Sequence, residues 1–267
     1  MDNPMKSSSL EKILKVVLFL LLAGMLVTGS MLIRYAIGYK NDRTQNEAIK
    51  TIAYKAAPSS GAASISKVEI SDDVKSFNPI DFDALKEINP DIVGWISACD
   101  GEIDGPIVQG TDNIFYLDHR FDKSEGSVGT FFADSSFTPA FENPLTIVYG
   151  HNRKDGSMFH PLLQYKSEDY YKEHQEFVVY TEKEVITYHV FSAYFADNDE
   201  VFGGDYEEAA LSGITMEKIK EMYTKAMEKS LYDIMYIPDT SDIIVLSTCE
   251  YSGNNNRMVV YGVREIQ

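Results

Sequence analysis

Cysteine is nearly absent from this 267-residue chain: only Cys99 and Cys249 occur. Two cysteines cannot build the regular framework of a small secreted disulfide scaffold, and neither belongs to the C-x-x-C pairs typical of zinc sites. Positive charge is also scarce. Lys and Arg total 24 against 41 Asp and Glu, giving a formal net charge of −17. A phosphate backbone recruits Lys and Arg, so this balance argues against a nucleic-acid partner. H-E-x-x-H, the P-loop and the dinucleotide fingerprint are missing as well, and no cofactor is called for. The acidic run Asp197-Asn198-Asp199 lacks the loop spacing of an EF-hand and reads as a solvated loop.

The first clear feature that is present lies near the N-terminus. Val16 to Ile33 is an uncharged run of 18 residues, extended by Ile13 and Leu14 across Lys15. At 1.5 Å per residue such a helix nearly crosses a hydrocarbon core of about 30 Å. A cleaved signal peptide would have a shorter apolar region and a small-residue cleavage site close behind, so a retained transmembrane anchor is the better reading. Lys6, Lys12 and Lys15 precede the span and Arg34, Lys40 and Arg43 follow it. The flanking charges are nearly balanced, and an inside N-terminus is compatible with them. The chain divides into a tail and anchor over 1–36, a linker over 37–79 with a helical stretch near Gln45–Lys55, and a folded domain over 80–267.

In that domain, runs rich in Val, Ile, Tyr, Phe and Thr predict eight strands. They are Ile92–Ser97, Gly105–Gln109, Gly129–Ala133, Leu145–Tyr149, Glu176–Thr181, Glu184–Phe195, Asp242–Thr248 and Met258–Arg264. Thr181 to Glu184 reads as a hairpin turn. Eight short strands with polar turns point to a closed or nearly closed β-barrel. Met216–Lys229 breaks the pattern, placing Ile219, Met222, Tyr223, Ala226 and Met227 at helical spacing behind a Thr215 cap.

Three residues at strand ends are candidates for chemistry. Cys249 closes the apolar strand before it and faces a polar loop. By position alone a buried structural thiol is the commoner occupant of such a place. Arg257 lies eight residues further on, at the head of the next strand. A hairpin would bring its guanidinium beside the thiol, where a cation favours thiolate and can donate to an oxyanion; a solvated surface Arg is an equal reading of the same position. His151 follows the strand ending in Gly150, and imidazole suits proton transfer near neutral pH. Cys and His together make a competent nucleophile and acid set. His119, His160, His174 and His189 lack a comparable strand-end glycine turn and read as surface or packing residues. A disulfide between Cys99 and Cys249 would consume the nucleophile and needs a narrow geometry.

Leu246-Ser247-Thr248-Cys249 followed by Arg257 resembles the L-x-T-C…R signature of sortases, and Tyr149-Gly150-His151-Asn152 resembles their Gly-His motif. Asn89–Ile96, Asp112–Leu117 and the helix inserted before the Cys strand are similar to class B sortases, and the likeness covers about Ile80 to Ile266. It implies an eight-stranded sortase barrel that cuts a C-terminal sorting signal after Thr through a thioacyl enzyme. It also implies transfer to an amine of a peptidoglycan precursor, surface proteins as substrates, and a catalytic domain on the outer face of a Gram-positive membrane. Class B members often read an Asn-Pro-x-Thr-like signal. By the same likeness Asn113 and Leu117 would line the groove, and Ser247 and Glu250 would flank the nucleophile. A cysteine hydrolase on this framework and a tethered module without catalysis are the competing readings. An amide product with an added amine separates the first of these, and a covalent adduct on Cys249 the second.

Overall fold

The computed structural model describes residues 4–54, 78–197, 215–233, 242–249 and 256–265. The chain divides into two compact units, Met1–Gln45 and Asn46–Gln267. Helix α1 runs over Pro4–Ala53. It contains the apolar run, whose Phe19, Leu26 and Leu32 are exposed. The stretch anticipated as helical near Gln45–Lys55 is the end of this helix, and residues 46–54 belong to the barrel unit rather than to a separate stalk.

Eight strands close a barrel in the order β1-β2-β3-β4-β7-β8-β6-β5. They are β1 (Ile92–Ala98), β2 (Ile103–Val108), β3 (Phe131–Ala133), β4 (Leu145–Gly150), β5 (Glu176–Tyr180), β6 (Val185–Asp197), β7 (Ile243–Cys249) and β8 (Asn256–Arg264). Each matches a predicted run within about three residues. Among the described residues, α-helices α2 (Phe82–Ile88), α3 (Glu168–Glu173) and α4 (Met216–Lys229) accompany the barrel. The hairpin at Thr181–Glu184 is present, closed by Thr181 N–H donating to the Glu184 carbonyl at 2.9 Å. Thr215 caps α4 by accepting from Lys218 N–H at 3.2 Å. Both α2 and α3 went unread because six or seven residues show too little period.

Strand alternation sorts the apolar residues into two layers. Ile96, Ile103, Phe131, Val148, Val179, Val190, Leu246 and Val260, one from each strand, fill the lumen. Trp95, Phe132, Ile147, Val245 and Tyr261 lie on the outer face, packed with Phe82 and Leu85 of α2 and Ile219 and Met222 of α4. α4 is tied to that face by Ser192 Oγ donating to the Ala226 carbonyl at 2.5 Å. Burying both faces explains why the strands read as near-continuous apolar runs.

The end of α1 is fastened to the outer face through Asp104. Its Oδ1 accepts from Tyr54 Oη and from Trp95 Nε1, both at 2.7 Å, and Lys50 lies 3.2 Å from Oδ2. Ala53 is fully buried, and its carbonyl accepts from Asp81 N–H at 2.7 Å. Burial and the Asp104 carboxylate push the Tyr54 phenol well above its ordinary range, so Tyr54 stays a donor. Asp104→Ala leaves the donors of Trp95 and Tyr54 without an acceptor and should cost about 2–3 kcal/mol. Chemical denaturation of the barrel transition measures it.

Candidate active site

Strand register brings the three sequence candidates to one end of three adjacent strands. β4 and β7 pair in parallel with Tyr149 opposite Ser247 and Gly150 opposite Thr248. β7 and β8 pair antiparallel with Ser247 opposite Val259 and Cys249 opposite Arg257. His151 follows the last residue of β4 directly. Strand side chains alternate, so position 257 has the parity of Val259 and Tyr261 on the outer face. Neighbouring strands lie about 4.8 Å apart, so the three backbone positions sit side by side within roughly 10 Å.

His151 is half-buried and held from several sides. Its Nε2 lies 2.6 Å from the Leu117 carbonyl oxygen, and its own carbonyl accepts from Phe159 N–H at 2.9 Å. The preceding Gly150 faces the lumen, where the rings of Phe131 and Phe159 stack with centroids 4.5 Å apart. A Cβ on Gly150 would lie 2.7 Å from Phe159 Cδ2 and 2.8 Å from Phe131 Cδ1. The Gly-His pair is therefore a packing requirement: no side chain fits before the histidine.

The loop after His151 is braced internally. Buried Asn152 meets His160 Nδ1 through Oδ1 at 2.7 Å. The buried Arg153 guanidinium donates to both oxygens of Asp155, at 3.4 and 3.3 Å. Partial burial alone would raise the Asp155 pKa, but hydrogen bonds from Ser157 and Arg153 outweigh it and hold the carboxyl below its ordinary range.

The four expected groove residues have different fates. Asn113 is committed to the frame: its Nδ2 donates to Asp134 Oδ2 at 3.0 Å, and its Oδ1 accepts from Ser135 N–H at 2.8 Å. The same Asp134 oxygen accepts from Tyr149 Oη at 2.8 Å, so Asn113 is linked to β4. Leu117 is partly exposed and meets His151 through its carbonyl. Ser247 is fully buried, and its Oγ has no hydrogen-bond partner among the described residues; Thr248 is the same. Glu250 lies outside the described residues, as do Asn198 and Asp199 of the acidic run.

Sequence reading missed the parts that hold this frame. The turn Phe115–Leu117 is pinned by buried Tyr116, whose Oη donates to Asp91 Oδ2 at 2.5 Å and accepts from Asn89 Nδ2 at 3.0 Å. Gly129, at φ +62°, passes so close that a Cβ would lie 2.8 Å from the Leu117 oxygen and 3.2 Å from His151 Cδ2. Asp134 and Gly129 carry no motif; only their place beside Tyr149 and His151 marks them.

Cys99 is a buried free thiol. Burial pushes it up to about 11 despite a hydrogen bond with Tyr170, so it stays a thiol near neutral pH and is a poor nucleophile. The other histidines have packing and ion-pair partners. His119 stacks on Phe115 and His174 on Tyr170, while His189 lies between Glu176 and Glu265. Among the described residues no cluster of His, Cys, Asp and Glu could hold a metal ion.

Two outcomes follow from these contacts. Gly150→Ala overpacks the Phe131–Phe159 stack, costing about 1–3 kcal/mol, and displaces His151, so kcat/KM falls roughly 10- to 100-fold; steady-state kinetics alongside thermal unfolding resolves the two effects. Asp155 has a lowered folded pKa, so its contribution to stability is present above its unfolded value and disappears as pH falls through the folded one. Asp155→Asn should therefore destabilise the barrel at neutral pH and flatten the acid side of its stability profile, read from denaturant midpoints across pH.

Comparison with known proteins places the fold in a family. The family model of the sortase domain matches residues 96–265. Sortase B of Listeria monocytogenes is 33% identical over 183 residues, covering 67% of this chain and 71% of that protein. Sortase B of Staphylococcus aureus is 30% identical over 183 residues, covering 67% and 72%. Among solved structures, sortase B of Bacillus anthracis superposes with a TM-score of 0.66 at 27% identity, covering 86% of this chain and 99% of that one. A mutant form of Clostridium perfringens sortase B gives 0.62 at 31% identity, covering 69% and 86%. With a closed eight-stranded barrel and a matched domain spanning most of it, the chain belongs to the sortase family of cysteine transpeptidases, on the class B branch.

Proposed function

We propose that this chain is a membrane-anchored transpeptidase that cuts a C-terminal sorting signal after Thr and joins the new carboxyl end to a peptidoglycan amine. The observation that carries the residue assignment is the register pair Cys249–Arg257 next to the strand end that bears His151. Cys249, as thiolate, attacks the Thr carbonyl carbon and forms the C–S bond. Arg257 donates to the oxygen that becomes negative, where such a contact is worth most. The C–N bond breaks, and His151 as imidazolium gives its proton to the departing amine. The incoming amine then attacks the thioester, His151 takes up the amine's proton, and the sulfur leaves as thiolate. No step asks for a cofactor or metal.

Asn113, Leu117, Ser247 and Glu250 are proposed to line the groove for an Asn-Pro-x-Thr-like signal. Buried Ser247, with an unengaged hydroxyl among the described residues, is compatible with that role. A Staphylococcus aureus sortase B, 28% identical to this chain, has been solved as a substrate complex, which supports a substrate-binding role for this fold. Residues 1–36 act as tail and single-pass anchor, with the N-terminus inside and the catalytic part, 80–267, outside. One helix among the described residues is long and apolar enough to cross a membrane, which supports the anchor.

The full chain in detergent, incubated with Thr-containing sorting peptides and a short glycine peptide, tests the reaction by mass spectrometry. The reading predicts a thioacyl adduct on Cys249 that converts to an amide product. It predicts loss of both with Cys249→Ala and a fall in kcat/KM of about 10²- to 10³-fold with Arg257→Ala. An adduct or amide product persisting in Cys249→Ala would overturn it.

A further inference from the structure

The contact between His151 and Leu117 defines more than the position of a ring. A carbonyl oxygen only accepts hydrogen bonds, so at 2.6 Å the Nε2 atom of His151 must carry a hydrogen. This holds for the neutral ring and for the imidazolium. The Leu117 carbonyl is itself immobilised. Leu117 ends a turn fixed at Asp112, whose Oδ1 accepts from Ile114 N–H and Phe115 N–H, both at 2.8 Å. The neighbouring Tyr116 carbonyl accepts from Thr130 N–H at 3.0 Å. Between them runs Gly129, in a left-handed conformation, leaving space for both carbonyls and the imidazole edge.

We propose that the Leu117 carbonyl holds the Nε2 hydrogen of His151 throughout the reaction, so that Nδ1 alone exchanges the catalytic proton, and that Gly129 is the positioning residue for this arrangement. The inference rests on His151 being the proton carrier. When the acyl bond breaks, the imidazolium gives its Nδ1 proton to the departing nitrogen and becomes the neutral Nε2–H form. That form keeps the hydrogen bond to Leu117. When the incoming amine attacks, the lone pair on Nδ1 takes its proton and the imidazolium returns. One hydrogen bond is thus kept in both charge states, and the ring has no reason to rotate between half-reactions. Leu117 then has a double role: its side chain is placed for the groove and its main chain for the histidine, which couples the groove wall to the acid.

Ring nitrogens of 15N-histidine-labelled full chain, observed by long-range proton–nitrogen correlation in alkaline buffer, test this directly. The His151→Ala spectrum assigns the signal. The wild type should show Nε2 protonated and Nδ1 bare. In Gly129→Ala the two nitrogens should move toward tautomer averaging, and kcat/KM should fall about 10-fold or more, with the barrel still folded by circular dichroism. If Gly129→Ala does not fold, the wild-type spectrum decides alone. A wild-type ring protonated on Nδ1, or a folded Gly129→Ala with unchanged tautomer and kinetics, overturns the inference. Full transpeptidation by His151→Ala would instead overturn the assignment of His151.

Discussion

The register of β7 between β4 and β8 is the constraint on which the site depends. Cys249, Arg257 and His151 are far apart or only loosely related in sequence, and each sits at a strand end. Their backbone positions lie side by side because Gly150 pairs with Thr248 while Arg257 pairs with Cys249. Strand side chains alternate, so a slip of one residue would exchange the lumen and outer faces along the whole strand. Ile244 and Leu246 in the lumen, with Ile243 and Val245 outside, resist that slip because both faces are buried. The apolar core therefore sets where the three candidate positions fall.

Beyond the strand ends, precision comes from close approaches. Gly150 lets two stacked phenylalanines support the end of β4. Gly129 lets the Leu117 carbonyl meet the imidazole. Asp134 joins Tyr149 of β4 to Asn113 in the connection between β2 and β3. Buried hydrogen-bonded networks of this kind are rigid when satisfied, and this one ties the segments on either side of β3, through Asn113 and Asp134, to the strand that precedes His151.

Much of the fold was legible because its strands are long, β-branched and bounded by polar turns. The eight predicted runs recover all eight strands, and Met216–Lys229 was readable because five apolar residues keep helical period. Short helices such as Phe82–Ile88 show less than two turns of pattern and were missed. The candidate triad was legible from motif order, since a strand followed by a charged residue at a fixed distance survives in one dimension. The supporting contacts were not. Nothing in the order of residues says that Gly129 lies against His151, or that the end of α1 belongs to the barrel through Asp104. Those are facts of long-range packing, as are the hydrogen bonds that engage the Asn113 amide with Asp134 and Ser135.

A crystal structure of the chain with a Thr-ended peptide aldehyde captured on Cys249 tests the convergence itself. The account predicts a guanidinium nitrogen of Arg257 at about 2.7–3.1 Å from the adduct oxygen and the His151 ring beside the vacated leaving-group side. A guanidinium or imidazole held beyond about 8–10 Å from the sulfur, too far for charge or proton transfer, would contradict it.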